Sequence, residues 1–177
     1  MTQERKSESI VTINSKFSAF NFKKLNWRDA LATVDEGRFV INDAATDRAR
    51  LADETDGVAY VNFLVSSAPS VQDFQSDPFD PSSPVQPLEG GGLSGIEGGG
   101  IELAIPLNRW YIAASPANDP AVGKYVCIAP AAAPAADHGK PQAILAASLG
   151  GLISYGVITE VRGETIFFLF NSIGQRH

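Results

Sequence analysis

Cysteine is almost missing from this chain: Cys127 is the only one in 177 residues. A lone cysteine excludes an intramolecular disulfide and a cysteine-based metal site, so no extracellular stapling is expected. Histidine is nearly as scarce, with only His138 and His177. No window reaches the roughly 18 consecutive apolar residues of a membrane-spanning helix. Residues 1–17, MTQERKSESIVTINSKF, lack the apolar stretch of a signal peptide. Synthesis in a reducing cytoplasm is the expectation. Windows of helical period are also close to absent, which argues against a helical fold.

The hydrophobic fraction of 44% is ordinary for a globular chain, and the length suits one domain. The net charge of −6 is unevenly divided. Residues 1–28 carry six basic residues (Arg5, Lys6, Lys16, Lys23, Lys24, Arg28) against Glu4 and Glu8, a net of +4. The remainder carries eight basic and eighteen acidic residues, a net of −10. An acidic body repels nucleic acid and anionic membrane. The basic stretch at 16–28, KFSAFNFKKLNWR, is only a loose match to a nucleic-acid surface. An acidic protein neighbour fits it better.

A pattern of short strands repeats along the chain. Gly37-Arg38-Phe39-Val40-Ile41 lies over Gly123-Lys124-Tyr125-Val126-Cys127, Leu51-Ala52 over Leu145-Ala146, and the Gly57 segment over the Gly151 segment. The expected fold is all-β, a small barrel or sandwich of two similar β units. The first unit covers residues 31–65 and the second 101–170, within one domain at 25–177. Val157–Val161 and Thr165–Phe170, joined through Arg162-Gly163-Glu164, form the clearest hairpin. The run Ile166–Phe170 is apolar at every position, so both its faces should be buried, in the body or in a subunit interface.

Two segments stand apart. Residues 1–24 read as an extended arm. Ile10, Ile13, Phe17, Phe20, Phe22, Lys23 and Lys24 are its candidate partner-binding residues, because solvated tails seldom carry three Phe. Such an arm can pair with a strand edge of its own body or of a neighbour. Leu25–Ala32 reads as a helical turn or as extended chain. Residues 66–100 hold five prolines and then seven glycines within 90–100, a density that excludes a helix or central strand. An insertion this long is usually functional or a linker. Its spaced apolar residues, among them Phe74, Phe79, Leu88, Leu93 and Ile96, point to a segment lying along a surface.

No catalytic constellation emerges. The Gly cluster has no neighbouring Lys-Ser/Thr pair and precedes a strand, unlike a phosphate loop. Asp137-His138 with Ser148 or Cys127 makes a triad only on paper, and Ser148–His138 is the pair to measure. Asp73, Asp77, Asp80 and Glu89 lack the spacing of a calcium loop. Neither metal nor cofactor is expected, and the expectation is a non-enzyme. A sugar-binding module would have to expose Trp27, Trp110 or Tyr111.

The first half, VDEGRFVIND…RARLADETDGVAYVNF, and the second, VGKYVCIAP…ILAAS…GLISYGVITEV, behind an extended arm, resemble tailed-bacteriophage head decoration (cement) proteins. The resemblance covers residues 31–65 and 101–170, and the long insertion and the doubled unit depart from it. It implies a virion structural protein on the capsid surface. Such a protein bridges subunits of the major capsid protein, stabilises the shell, and forms a homo-oligomer, with a trimer expected. Alternatives are a tail or head–tail junction protein and a carbohydrate-binding or adhesin-like module.

Overall fold

The structure, a computed structural model, describes residues 12–14, 20–26, 36–46, 48–62, 74–75, 86–87, 92–113 and 118–177. The described residues are all-β, with three-residue 3-10 turns and no α-helix. In chain order the strands are β1 (Thr12–Asn14), β2 (Phe20–Asn26), β3 (Phe39–Asp43), β4 (Arg48–Leu51), β5 (Tyr60–Asn62), β6 (Phe74–Gln75), β7 (Gln86–Pro87), β8 (Gly92–Pro106), β9 (Tyr125–Ile128), β10 (Pro141–Ile144), β11 (Ile153–Arg162) and β12 (Thr165–Arg176).

Ten of them form one curled antiparallel sheet, a half-barrel. Its order is β10-β9-β11-β12-β8-β5-β3-β4, with β1 and β2 also paired to β8. β6 and β7 make a separate two-stranded ribbon. At the two ends of the sheet the pairing is the same: a central strand (β3 or β9) carries a hairpin partner (β4 or β10) on one side and a later strand (β5 or β11) on the other. Gly37 and Gly123 stand just before those central strands with φ of 86° and 84°, a region glycine enters without steric cost.

The core lies inside the curl, and alternation puts it there. Ile166, Phe168 and Phe170 of β12 face inward, against Ile101, Leu103 and Ile105 of β8. Aromatic rings fill the middle. Phe39 meets Tyr155 at 5.5 Å and Phe170 at 5.8 Å, and Trp110 meets Phe168 edge-on at 5.7 Å. Such tilted and edge-on pairs add to simple area burial. The curl is drawn together where β3 meets the loop before β10. The Phe39 N–H donates to the Gly139 carbonyl at 2.6 Å, and Arg38 donates to the carbonyls of Ala136 and His138, each at 2.8 Å. Gly139 has φ of 75°, and a Cβ there would stand 2.9 Å from the Phe39 carbonyl oxygen, so only glycine fits.

The Gly-rich stretch departs from the expectation of coil. Residues 92–106 are one strand, and it lies at the centre of the sheet. Glycine is a poor strand former because nothing on it packs. Here its neighbours occupy the space instead: a Cβ on Gly95 would lie 2.7 Å from the Tyr60 Cβ and 3.3 Å from Leu25 Cδ1. The glycines also let β8 change partners. β12 follows β8 as far as Asn171 opposite Gly99, where the ladder bulges. Asn171 Oδ1 accepts the Gly100 N–H at 2.8 Å, and Gly100 has φ of 71°. Beyond that point β12 continues against residues 57–59, through Ala59 N–H to Ser172 O and Gly174 N–H to Gly57 O, both at 2.9 Å.

Smaller departures follow the same logic. Leu25 and Asn26, read as a possible helical turn, end strand β2, and residues 27–32 lie outside the described residues. The strand expected from Val58 is a single bridge, Val58 to Ile173, followed by Tyr60–Asn62. The hairpin at 162–165 is present, with Arg162 paired to Thr165 and Gly163 at φ of 58°.

Candidate functional site

The predicted arm residues are brought onto β8. β1 pairs Thr12, Ile13 and Asn14 with Ala104, Leu103 and Glu102, and β2 runs from Phe20 opposite Gly98 to Asn26 opposite Gly92. Of the two options the sequence left open, strand pairing within the chain's own body is the one seen. The expected boundary between an arm at 1–24 and a body from 25 therefore falls inside a strand. Ile13, Phe20, Phe22, Lys23 and Lys24 all lie on β1 or β2, while Ile10 and Phe17 lie outside the described residues.

What anchors the arm was not visible in the sequence. Leu25 is 3% exposed and packs with Val40, Ala49 and Tyr60, and Leu51 leans on the same cluster. Two positions earlier, on the same strand face, the Lys23 ammonium donates to the Tyr60 hydroxyl at 3.0 Å and sits 5.0 Å from the ring centre. That hydrogen bond raises the Lys23 pKa above its usual 10.5, against the opposing pull of burial. Leu25 falls just outside the arm as drawn from the sequence, and Tyr60 is 37 residues from Lys23, so no local pattern links them.

The insertion residues divide. Ile96 is fully buried in the main core, which removes it as a partner-binding residue. It faces inward because β8 is a central strand and not coil. Leu93 is in β8 opposite Leu25, and Phe74 is in β6 opposite Pro87. Phe79 and Leu88 lie outside the described residues.

A polar cleft of about 450 Å³ opens beside β3 and β4, lined by Asp43, Arg50, Asp56, Val58 and Tyr60 among others. Its charged groups are engaged with one another. Arg50 makes a two-pronged ion pair to Asp56 at 2.8 and 3.0 Å and a longer one to Asp53 at 3.5 Å. Asp43 accepts from the Ala45 N–H at 3.0 Å and from the Thr46 hydroxyl at 3.2 Å. Burial works to lower the Arg50 pKa, but the hydrogen bond and charge of Asp56 outweigh it and the net shift is upward. Burial works to raise Asp53, and the hydrogen bonds from Thr55, with the charge of Arg50, outweigh it and hold it below 3.8. The buried Tyr155 hydroxyl donates to the Asp56 carbonyl and so ties this turn to β11. Burial, then the charges of Asp56 and Asp53, push the Tyr155 pKa upward. A network closed on itself in this way serves as a clasp on the 52–57 turn.

The catalytic candidates come apart. His138 Nε2 lies 2.9 Å from the Ala133 carbonyl, which requires Nε2 to carry the proton, and Ser148 is exposed on the 3-10 turn Ala146–Ser148. Cys127 is 1% exposed, and burial pushes its thiol up to about 12, the opposite of an activated nucleophile. The structure brings together a different pair, Ser154 Oγ and His177 Nε2, at 2.8 Å. Ser154 is 5% exposed in the middle of β11, and the His177 ring stands edge-on to Tyr125 at 4.9 Å. The other hydrogen bonds of His177 run through its backbone to Gly151 and Leu152. Among the described residues no carboxylate is bonded to the His177 imidazole, the third group that would orient such a pair. Only the cross-strand register brings the pair together, and three extra β12 residues inside that ladder hide it from sequence.

Trp110 is 3% exposed and donates its indole N–H to the Ile105 carbonyl at 3.3 Å, so it is core and not a sugar platform. Tyr111 is half-buried, and Trp27 lies outside the described residues. Among the described residues no group of His, Cys, Asp or Glu is placed to hold a metal ion, and no helix is long and apolar enough to cross a membrane. The outer face of β12 is different in kind. Ile166, Phe168 and Phe170 are buried, yet Leu169 is 42% and Ile173 73% exposed, so among the described residues the two faces of the strand are unequally covered. Compared with protein-family models, with curated proteins and with solved structures, the chain matches none.

Proposed function

We propose that this chain is a virion structural protein that decorates a phage capsid, bridging neighbouring major capsid subunits and stabilising the shell from outside. The observation that carries the reading is the arm. A positively charged, strand-forming segment lies on the long central strand of an acidic β body. Its main chain is engaged with β8 of the same body, so it would reach an acidic neighbour through its charge. Many weak contacts of that type become strong on a lattice, where each copy binds at several points. The matching pairing at the two ends of the sheet supports descent from a doubled β unit. An oligomer or doubled body of that sort presents repeated contacts to a repeated surface. The tail-junction reading rests on the same β body. The carbohydrate reading loses Trp110 as a stacking platform.

Lys23 is committed to Tyr60, so the test uses the other basic arm residues. Lys16→Glu and Lys24→Glu together should weaken cosedimentation with phage capsid shells by tenfold or more. The wild-type complex should also weaken as salt screens the arm's charge. Undiminished, salt-independent binding by the charge-reversed arm would overturn the reading.

A further inference from the structure

We propose that Asp56–Gly57 is a site of spontaneous aspartate isomerisation, and that the Arg50 ion pair is the restraint that keeps it unreacted in the fold. The inference is independent of capsid binding. Asp56 is the only aspartate followed by glycine, and no asparagine is.

In such a pair the amide nitrogen of the second residue attacks the aspartate Cγ. The N–H proton goes to solvent and the carboxyl hydroxyl leaves as water, closing a five-membered imide. Water then opens the ring. Addition at Cγ restores aspartate. Addition at the main-chain carbonyl gives isoaspartate, whose backbone runs through Cβ and Cγ and is one carbon longer, with no net change in mass. Glycine in second place favours the attack, because no Cβ crowds the nitrogen. Gly57 is exposed, and nothing lies within 4 Å of the place a Cβ would take. Residue type and open surroundings both permit ring closure here.

The folded turn opposes it. Arg50 Nη2 and Nη1 donate to Asp56 Oδ1 and Oδ2 at 2.8 and 3.0 Å, and the Asp53 N–H donates to Oδ2 at 2.8 Å. The leaving hydroxyl exists only on the protonated acid, whereas a guanidinium fork fits the carboxylate. Ring closure also needs rotation about the Asp56 Cα–C bond, and the carbonyls on both sides of the Gly57 nitrogen are held. The Tyr155 hydroxyl donates to the Asp56 carbonyl, and the Gly174 N–H donates to the Gly57 carbonyl at 2.9 Å. These anchors come from β11 and β12, remote in the chain. An intramolecular attack depends on bringing its atoms into one geometry, so it waits here on local opening of the turn. Arg50 is the group whose loss frees the carboxyl.

The product would act beyond the turn. Residues 57–59 carry the far end of β12: Val58 bridges Ile173, and the Ala59 N–H donates to the Ser172 carbonyl at 2.9 Å. Isomerisation turns the Asp56 carbonyl that Tyr155 holds into a carboxylate branch, and the extra backbone carbon shifts Gly57 along that ladder. It is a chemical mark that loosens the end of β12.

Incubating the full chain in mildly acidic buffer at body temperature tests this. Peptide mapping with electron-transfer fragmentation separates the two isomers at equal mass, and methylation by an isoaspartyl methyltransferase counts the product. The wild type should form isoaspartate at residue 56 at least tenfold more slowly than a synthetic peptide of residues 50–60. Arg50→Met should bring the rate severalfold closer to that of the peptide while circular dichroism still reports a folded chain. Arg50→Lys, which keeps the cation without the fork, should fall between the two. Gly57→Ala in the Arg50→Met background should suppress the product. Gly95→Ala, which strains β8 packing and leaves the ion pair alone, should not speed the reaction, separating release of the carboxyl from general loosening. A wild type as fast as the peptide would overturn the proposal, as would a peptide that forms no isoaspartate. So would Arg50 variants no faster than wild type, or a Gly95→Ala chain as fast as Arg50→Met.

Discussion

Replacing Gly95 by alanine tests whether the glycine-rich stretch is a working strand. The added methyl would stand 2.7 Å from the Tyr60 Cβ and 3.3 Å from Leu25 Cδ1. The first atom is fixed by the backbone of β5, which pairs with β8 at this point, so it cannot rotate away. The second belongs to a side chain 3% exposed, with little room to yield. Overpacking of a filled site costs about 1–3 kcal/mol, and a contact against a Cβ belongs near the top of that range. Alanine's better entropy in the unfolded chain returns only about 0.4–1 kcal/mol. The net expectation is a loss of about 2 kcal/mol, or about 4–8 °C in Tm for a chain of this size. Urea and thermal unfolding followed by circular dichroism read both numbers. Gly57→Ala is the control: nothing lies within 4 Å of its Cβ position and its φ is not positive, so it should be neutral or slightly stabilising. Leu25→Ala in the Gly95→Ala background should not rescue it, because the Tyr60 contact remains. If Gly95→Ala is as stable as the wild type, residues 92–98 are not held between β2 and β5, and the placement of the arm fails with them.

Two further outcomes follow from the Arg50 clasp. Arg50→Met should lose about 2 kcal/mol in urea unfolding, within the range of about 1.5–3 kcal/mol for a hydrogen bond to a charged group, because Asp56, 12% exposed at its side chain, is left without its cation. Acid should act through Asp53, whose carboxyl is held below 3.8 in the fold. A lowered folded-state pKa gives stability that is complete above the unfolded value and is lost as pH falls through the folded one. The stability gap between wild type and Asp53→Asn should therefore be constant at neutral pH and close as pH falls below 3.8. The gap should be small, since the Asp53 side chain is 39% exposed and solvent screens it. A gap that widens on acidification would contradict the assignment.

Much of the β architecture was legible because it is local. The alternation of β12 and the Gly163 turn announce a hairpin wherever they occur, and the Gly37 and Gly123 segments announce strands by their β-branched and aromatic neighbours. Composition failed at 92–100, where seven glycines within 90–100 argue for coil. A strand without side chains can be stable only if its neighbours fill the vacated space, and those neighbours, Leu25 and Tyr60, are remote in sequence. The same mistake of reading coil made Ile96 look free for a partner when it is fully buried.

The all-β class, the split of charge between arm and body, and the scarcity of cysteine and histidine were determined by the sequence alone. They depend on residue type and short-range periodicity, which need no knowledge of what lies opposite. The seat of the arm on β8, the commitment of Lys23 to Tyr60, the Ser154–His177 pair and the unequal cover of the two faces of β12 were decided only by the tertiary structure. Each depends on the register of strands far apart in the chain, and a single bulge, such as the one at Gly99, shifts that register without leaving a local mark.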